Sequence, residues 1–134
     1  MASGNRDEVW KDVRQMTIEI RHVKDAGNLN KERIVLKVTA SDDIGRYILF
    51  DTTYYDNGTI SNEIRHSLWF PNKEVNSGDL VIAYTKSGTD SQTENSNGTV
   101  SHFFYMGLGS TIWNQSGDGA VLIEAKTWQV KKVV

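Results

Sequence analysis

Hydrophobic and polar residues alternate with a period of two through most of this chain, and a chain patterned that way folds as short strands, not helices. Residues 32–40, ERIVLKVTA, show it best: Ile34, Leu36, Val38 and Ala40 alternate with mostly polar neighbours. From Met16 onward Ile18, Ile20 and His22 fall on one face, with Thr17, Glu19, Arg21 and Val23 on the other. Tyr47 to Tyr55, YILFDTTYY, is aromatic and β-branched and closes on the turn tripeptide Asp56-Asn57-Gly58. Arg65 to Phe70 reads as a strand that Pro71 ends, because proline has no donor for a central ladder. Leu80 to Thr85 is a continuous apolar run, as expected of the interior of a sheet. In 100–106 His102, Phe104 and Met106 oppose Ser101, Phe103 and Tyr105, so that burying Phe104 exposes Phe103 and Tyr105. Thr111 to Trp113 resumes the pattern, and Ala120–Glu124 with Thr127–Val133 reads as a final hairpin. Residues 86–99 hold no apolar side chain, which makes them a solvated loop or the tip of a hairpin.

About eight short strands result, separated by turn signals near the ~8 to 12 residue spacing of an all-β sandwich or barrel. Residues 16–134 form that domain. Residues 1–15 stand apart as a short helix or an extended arm, since Val9, Trp10, Val13 and Met16 recur at spacings of three and four. With 134 residues and 38% hydrophobic content the chain fits one domain with one core. It has no cysteine, which excludes a disulfide framework, a Cys-based zinc site and a thiol nucleophile. No apolar run approaches the roughly 18 residues of a membrane span, and the charged start lacks the apolar stretch of a secretion signal. The expectation is a soluble, cytoplasmic protein.

Three stretches, in order, resemble the lamin tail domain, an immunoglobulin-like β-sandwich. Glu32-Arg33-Ile34-Val35-Leu36-Lys37-Val38, followed by Ile44-Gly45-Arg46-Tyr47-Ile48-Leu49, is similar to that family's early Glu-containing strand and the Leu-x-Gly-Trp-x-Leu segment after it. Phe70-Pro71 through Gly78-Asp79-Leu80-Val81-Ile82 is similar to its approach to a Gly-acidic turn and central strand. Ile112-Trp113-Asn114-Gln115-Ser116-Gly117-Asp118-Gly119 is similar to its Trp-Asn-x-x-Gly-Asp turn. The chain departs from the pattern at Gly45-Arg46-Tyr47, where the family has Gly-Trp, and in its polar segments around 56–67 and 86–99. The resemblance implies an immunoglobulin-like topology and allows association with nucleic acid.

The net charge of -2 hides an uneven distribution: +2 over residues 1–37, -7 over 38–125 and +3 over 126–134. A near-neutral total argues against a dedicated nucleic-acid binder, but basic ends brought together would offer a patch of Lys11, Arg14, Lys126, Lys131 and Lys132. No two of the histidines, His22, His66 and His102, have metal-ligand spacing, and no calcium-loop pattern surrounds Asp42, Asp43, Asp56 or Asp118. Gly107-Leu108-Gly109-Ser110 matches neither a nucleophile elbow nor a phosphate loop. Neither a catalytic motif nor a cofactor motif emerges. The Asn-x-Ser/Thr triplets at Asn57, Asn97 and Asn114 read as turn chemistry. The stronger signal is aromatic. Tyr54, Tyr55, Trp69, Phe103 and Tyr105 are the candidate binding residues, and a non-catalytic module that binds protein, or a second copy of itself, is the leading expectation. Binding of carbohydrate or nucleic acid is the alternative.

Overall fold

The computed structural model describes residues 15–113 and 117–134. Ten strands run through them: β1 (Ile18–Lys24), β2 (Arg33–Val38), β3 (Asp42–Asp43), β4 (Tyr47–Thr53), β5 (Arg65–Trp69), β6 (Glu74–Val75), β7 (Leu80–Tyr84), β8 (Ser91–Glu94), β9 (Val100–Tyr105) and β10 (Asp118–Glu124). The only helical element among the described residues is one 3-10 turn at Ile44–Arg46, capped by the Asp43 carboxylate, which accepts from the Gly45 N–H at 2.8 Å. No described helix is long and apolar enough to cross a membrane.

A five-stranded sheet in the order β1-β2-β7-β9-β8 faces a three-stranded sheet in the order β10-β4-β5, and β3 pairs with β6 at one end. Period-two alternation puts Ile18, Ile34, Leu36, Val38, Val81, Ala83 and Phe104 of the first sheet in the same buried cluster as Tyr47 and Leu49 of the second. The domain is therefore an all-β sandwich. All strand pairs are antiparallel except β7 with β9. After β7 the chain crosses to the outer edge, returns as β8 and turns back into β9, which slots between them.

Two turns share one construction. Asn57 and Asn97 each accept, through Oδ1, the backbone N–H and the hydroxyl of the threonine two residues on, Thr59 and Thr99. The intervening Gly58 and Gly98 take φ values of +87° and +86°, which a side chain would resist. Asn57 and Asn97 thus serve turn chemistry; Asn114 lies outside the described residues, as do residues 1–14 of the helix or arm expected over 1–15.

Four sequence expectations change. Residues 111–113 form no strand, although Ile112 and Trp113 are buried, because the Ile112 N–H donates to the Glu32 carboxyl and not to a ladder. The final hairpin is absent: Ala125 still bonds to the Arg46 carbonyl, extending the pairing of β10 with β4, and residues 126–134 remain exposed without strand pairing. The apolar-free 86–99 contains β8, an exposed edge strand held by backbone bonds alone. Finally, β1 carries a bulge at Arg21, so the phase slips and His22 leaves the face of Ile18 and Ile20 to sit opposite Val35.

Candidate functional site

The outer face of the five-stranded sheet follows from the same alternation. With Ile34 and Leu36 turned inward, β2 sends Arg33, Val35 and Lys37 outward. Likewise β7 presents Leu80, Ile82 and Tyr84, and β9 presents Ser101, Phe103 and Tyr105. The register aligns them in rows across the sheet: Lys37-Leu80-Ser101, Val35-Ile82-Phe103 and Arg33-Tyr84-Tyr105. Past its bulge, β1 adds His22 opposite Val35 and Lys24 opposite Arg33. Arg21, His22 and Lys24 of β1, Arg33, Val35 and Lys37 of β2, and Leu80 and Ile82 of β7 line an open groove of about 440 Å³ in which no described lining residue is acidic. Val35 and Ile82 form its floor; though they face outward, they are only 8% and 9% exposed, because longer neighbours shade them.

Rings border the groove. Tyr84 stacks on Tyr105 with centroids 5.5 Å apart and planes 13° from parallel, and on Phe103 at 6.4 Å and 29°. The Arg33 guanidinium lies 5.8 Å and the Lys86 ammonium 5.0 Å from the Tyr84 centroid, both within cation–π range. Gly88 lies against Tyr105, where a Cβ would come within 2.5 Å of two ring carbons. The faces of Tyr84 and Tyr105 are thus occupied by one another, by cations and by backbone. Arg21 is paired with Glu19 and Arg33 with Asp25, each at 2.7 Å. Lys24, Lys37 and Lys86 have no carboxylate partner among the described residues, which leaves the face net positive.

The candidates picked from sequence do not form one surface. Phe103 and Tyr105 belong to this face. Trp69 lies on the outer face of the other sheet, opposite Ile48, where its Nε1–H donates to the Gly45 carbonyl at 2.7 Å and its ring meets Trp128 edge-on at 5.5 Å. Tyr54 and Tyr55 are half-exposed at the turn that follows β4. Lys126, Lys131 and Lys132 are exposed beyond β10, and Lys11 and Arg14 lie outside the described residues. Tyr84, Lys86 and Gly88 were missed; a continuous apolar run such as LVIAY does not show which face each residue takes.

Two buried carboxyls, Glu32 and Asp79, and the half-buried Asp42 tie separate segments of the chain together. Glu32, fully buried, accepts from the Thr85 hydroxyl at 2.6 Å and from the N–H groups of Gly27 and Ile112 at 2.9 Å each. Asp79 meets His102 Nε2 at 2.8 Å and accepts from the N–H groups of Asn76 and Val100. Burial works to raise the Asp79 carboxyl, but these partners, His102 first, hold it below its ordinary value. Asp42 behaves in the same way: burial opposes its charge, while the hydroxyls of Thr17 and Tyr47, the Asp43 N–H and the Arg46 charge bring it below the usual carboxylate range. Burial, and then the neighbouring Asp42 carboxylate, push the Tyr47 hydroxyl up.

Among the described residues two histidines pair with aspartates. Asp79 and His102 are both buried. His66, in a left-handed conformation with φ +48°, turns Nδ1 to the buried Asp51 at 2.7 Å, and Arg65 bonds the other Asp51 oxygen at 3.3 Å. No described hydroxyl hydrogen-bonds to His66 as a nucleophile would. Among the described residues no three of His, Asp and Glu gather as metal ligands. No protein-family model matches the chain, and no curated protein matches it.

Proposed function

We propose that this domain is a non-catalytic interaction module that binds protein through the outer face of its five-stranded sheet. The observation that carries this reading is an apolar floor bordered by rings and by lysines without an ion-pair partner among the described residues, on a sheet face over which no second described sheet packs. Such a patch is a docking surface in the physical sense, because the partly exposed Leu80, Tyr84, Phe103 and Tyr105 around the nearly buried floor can be covered together with the charge beside them. Occupation of the Tyr84 and Tyr105 ring faces from within the domain counts against a sugar-stacking platform, which needs a flat ring face open to solvent. The buried Glu32, the Gly78-Asp79 turn and the buried Trp113 give structural roles to four of the residues through which the sequence resembles the lamin tail domain. Membership in that family, and with it an immunoglobulin-like topology, is part of this proposal and rests on the sequence resemblance.

The test compares proteins recovered from nuclease-treated source lysate by immobilised wild type, Phe103→Ala and Trp128→Ala, with thermal melts confirming that each variant is folded. A partner kept by Trp128→Ala and lost by Phe103→Ala is expected. Equal recovery on all three would remove the assignment.

A further inference from the structure

The groove repeats along the strand direction in a way that specifies its occupant. Outward residues of one strand lie ~6.6 to 6.8 Å apart, twice the rise per residue, and an extended peptide repeats its own side chains at the same interval. Read along β2, the outward residues are Arg33, Val35 and Lys37, which is cation, apolar, cation. Neighbouring strands widen each position into a band. Lys24 lies beside Arg33, Ile82 and Phe103 continue from Val35, and Lys37 has Leu80 on one side and Glu19, which is held by Arg21, on the other.

Resting on the docking-face reading above, we propose that this groove binds an extended acidic peptide segment of the pattern acid-x-apolar-x-acid, laid along β2. Its two carboxylates would meet the cationic bands and its central side chain the Val35–Ile82 floor. The partner is acidic because the lining cations outnumber the carboxylates beside them: Glu19, opposite Lys37 on β1, pairs with Arg21, Asp25 pairs with Arg33, and Lys24 and Lys37 form no ion pair, the Lys37 ammonium donating to the Gly78 carbonyl at 3.1 Å. Two other occupants fit less well. A second copy meeting this face through its own would set cation against cation. A single nucleic-acid strand carries a phosphate at every repeat, one of which would lie on the apolar middle band, and its bases would find the Tyr84 and Tyr105 ring faces already occupied.

The test is fluorescence anisotropy with three dye-labelled peptides flanked by Gly-Ser: a Glu-Thr-Leu-Thr-Glu core, its Gln-Thr-Leu-Thr-Gln counterpart, and Thr-Glu-Leu-Glu-Thr, which has the same charge on the opposite face. A twelve-nucleotide poly-dT strand is the fourth probe. The first peptide is expected to bind at least about tenfold more tightly than the Gln peptide and about fivefold more tightly than the shifted one. Raising salt from about 50 to 300 mM should weaken it severalfold, since exposed charges are screened. Lys24→Glu should weaken it further without changing the melting temperature. Equal binding of the three peptides, or binding of poly-dT alone, overturns the acidic-peptide assignment. Should every probe fail while Phe103→Ala still abolishes lysate recovery, the occupant is wrong and the docking face stands. If recovery does not depend on Phe103, the face itself is wrong.

Discussion

Glu32 gathers three donors from three separate parts of the chain onto one buried carboxyl: the Gly27 turn, the end of β7 at Thr85 and the segment entering Trp113. A buried donor that loses its partner costs about 1–3 kcal/mol, so Glu32→Leu should lose about 3 kcal/mol or more. Glu32→Gln, which keeps one accepting oxygen, should lose less; urea midpoints at constant m-value check both. Asp79 gives a second expectation, in pH. Its folded-state carboxyl lies below the ordinary 3.8. A carboxyl depressed in this way contributes stability above its unfolded value, near ~3.9, and loses it as pH falls through the folded one. Acidification below about pH 4 should therefore destabilise the wild type, with a shallower acid limb in Asp79→Asn, as measured by denaturation at a series of pH values.

The connection from β7 to β8 controls the ring row. It carries Lys86 over Tyr84 and Gly88 onto Tyr105, and so closes the stack from its outer side. A methyl group at position 88 would meet ring carbons at 2.5 Å, and the ring cannot retreat because Tyr84 lies behind it. Gly88→Ala should displace this connection and cost about 1–3 kcal/mol as overpacking. Tyrosine fluorescence quenching by iodide should rise, whereas the same substitution at Gly109, where a Cβ meets nothing within 4 Å, should leave quenching unchanged. The twin Asn-Gly-Thr turns were readable as turns from composition because their hydrogen bonds span two residues. The edge strand β8 was not, since an exposed edge needs only backbone bonds and leaves no apolar signature.

Most of this sandwich is built from long-range pairing. β10 lies beside β4, with Asp118 opposite Thr53 and Glu124 opposite Tyr47, and β9 must slot between β7 and β8 after both have been made. Closing such loops before their contacts form is slow, so refolding by stopped-flow should fall in the range of ms to s expected of all-β topologies. Ending the chain after Trp128 should shift stability by no more than about 0.5 kcal/mol, because residues 129–134 are exposed and unpaired. By itself the sequence determined the all-β class, most strand positions and the outward direction of Phe103 and Tyr105, because alternation and turn chemistry act over a few residues. Only the tertiary structure decided that the Arg21 bulge turns His22 outward, that Trp69 and Phe103 lie on different sheets, and that Glu32 anchors Ile112. Each of these depends on strand order, register and contacts between residues distant in the chain, which a local pattern does not encode.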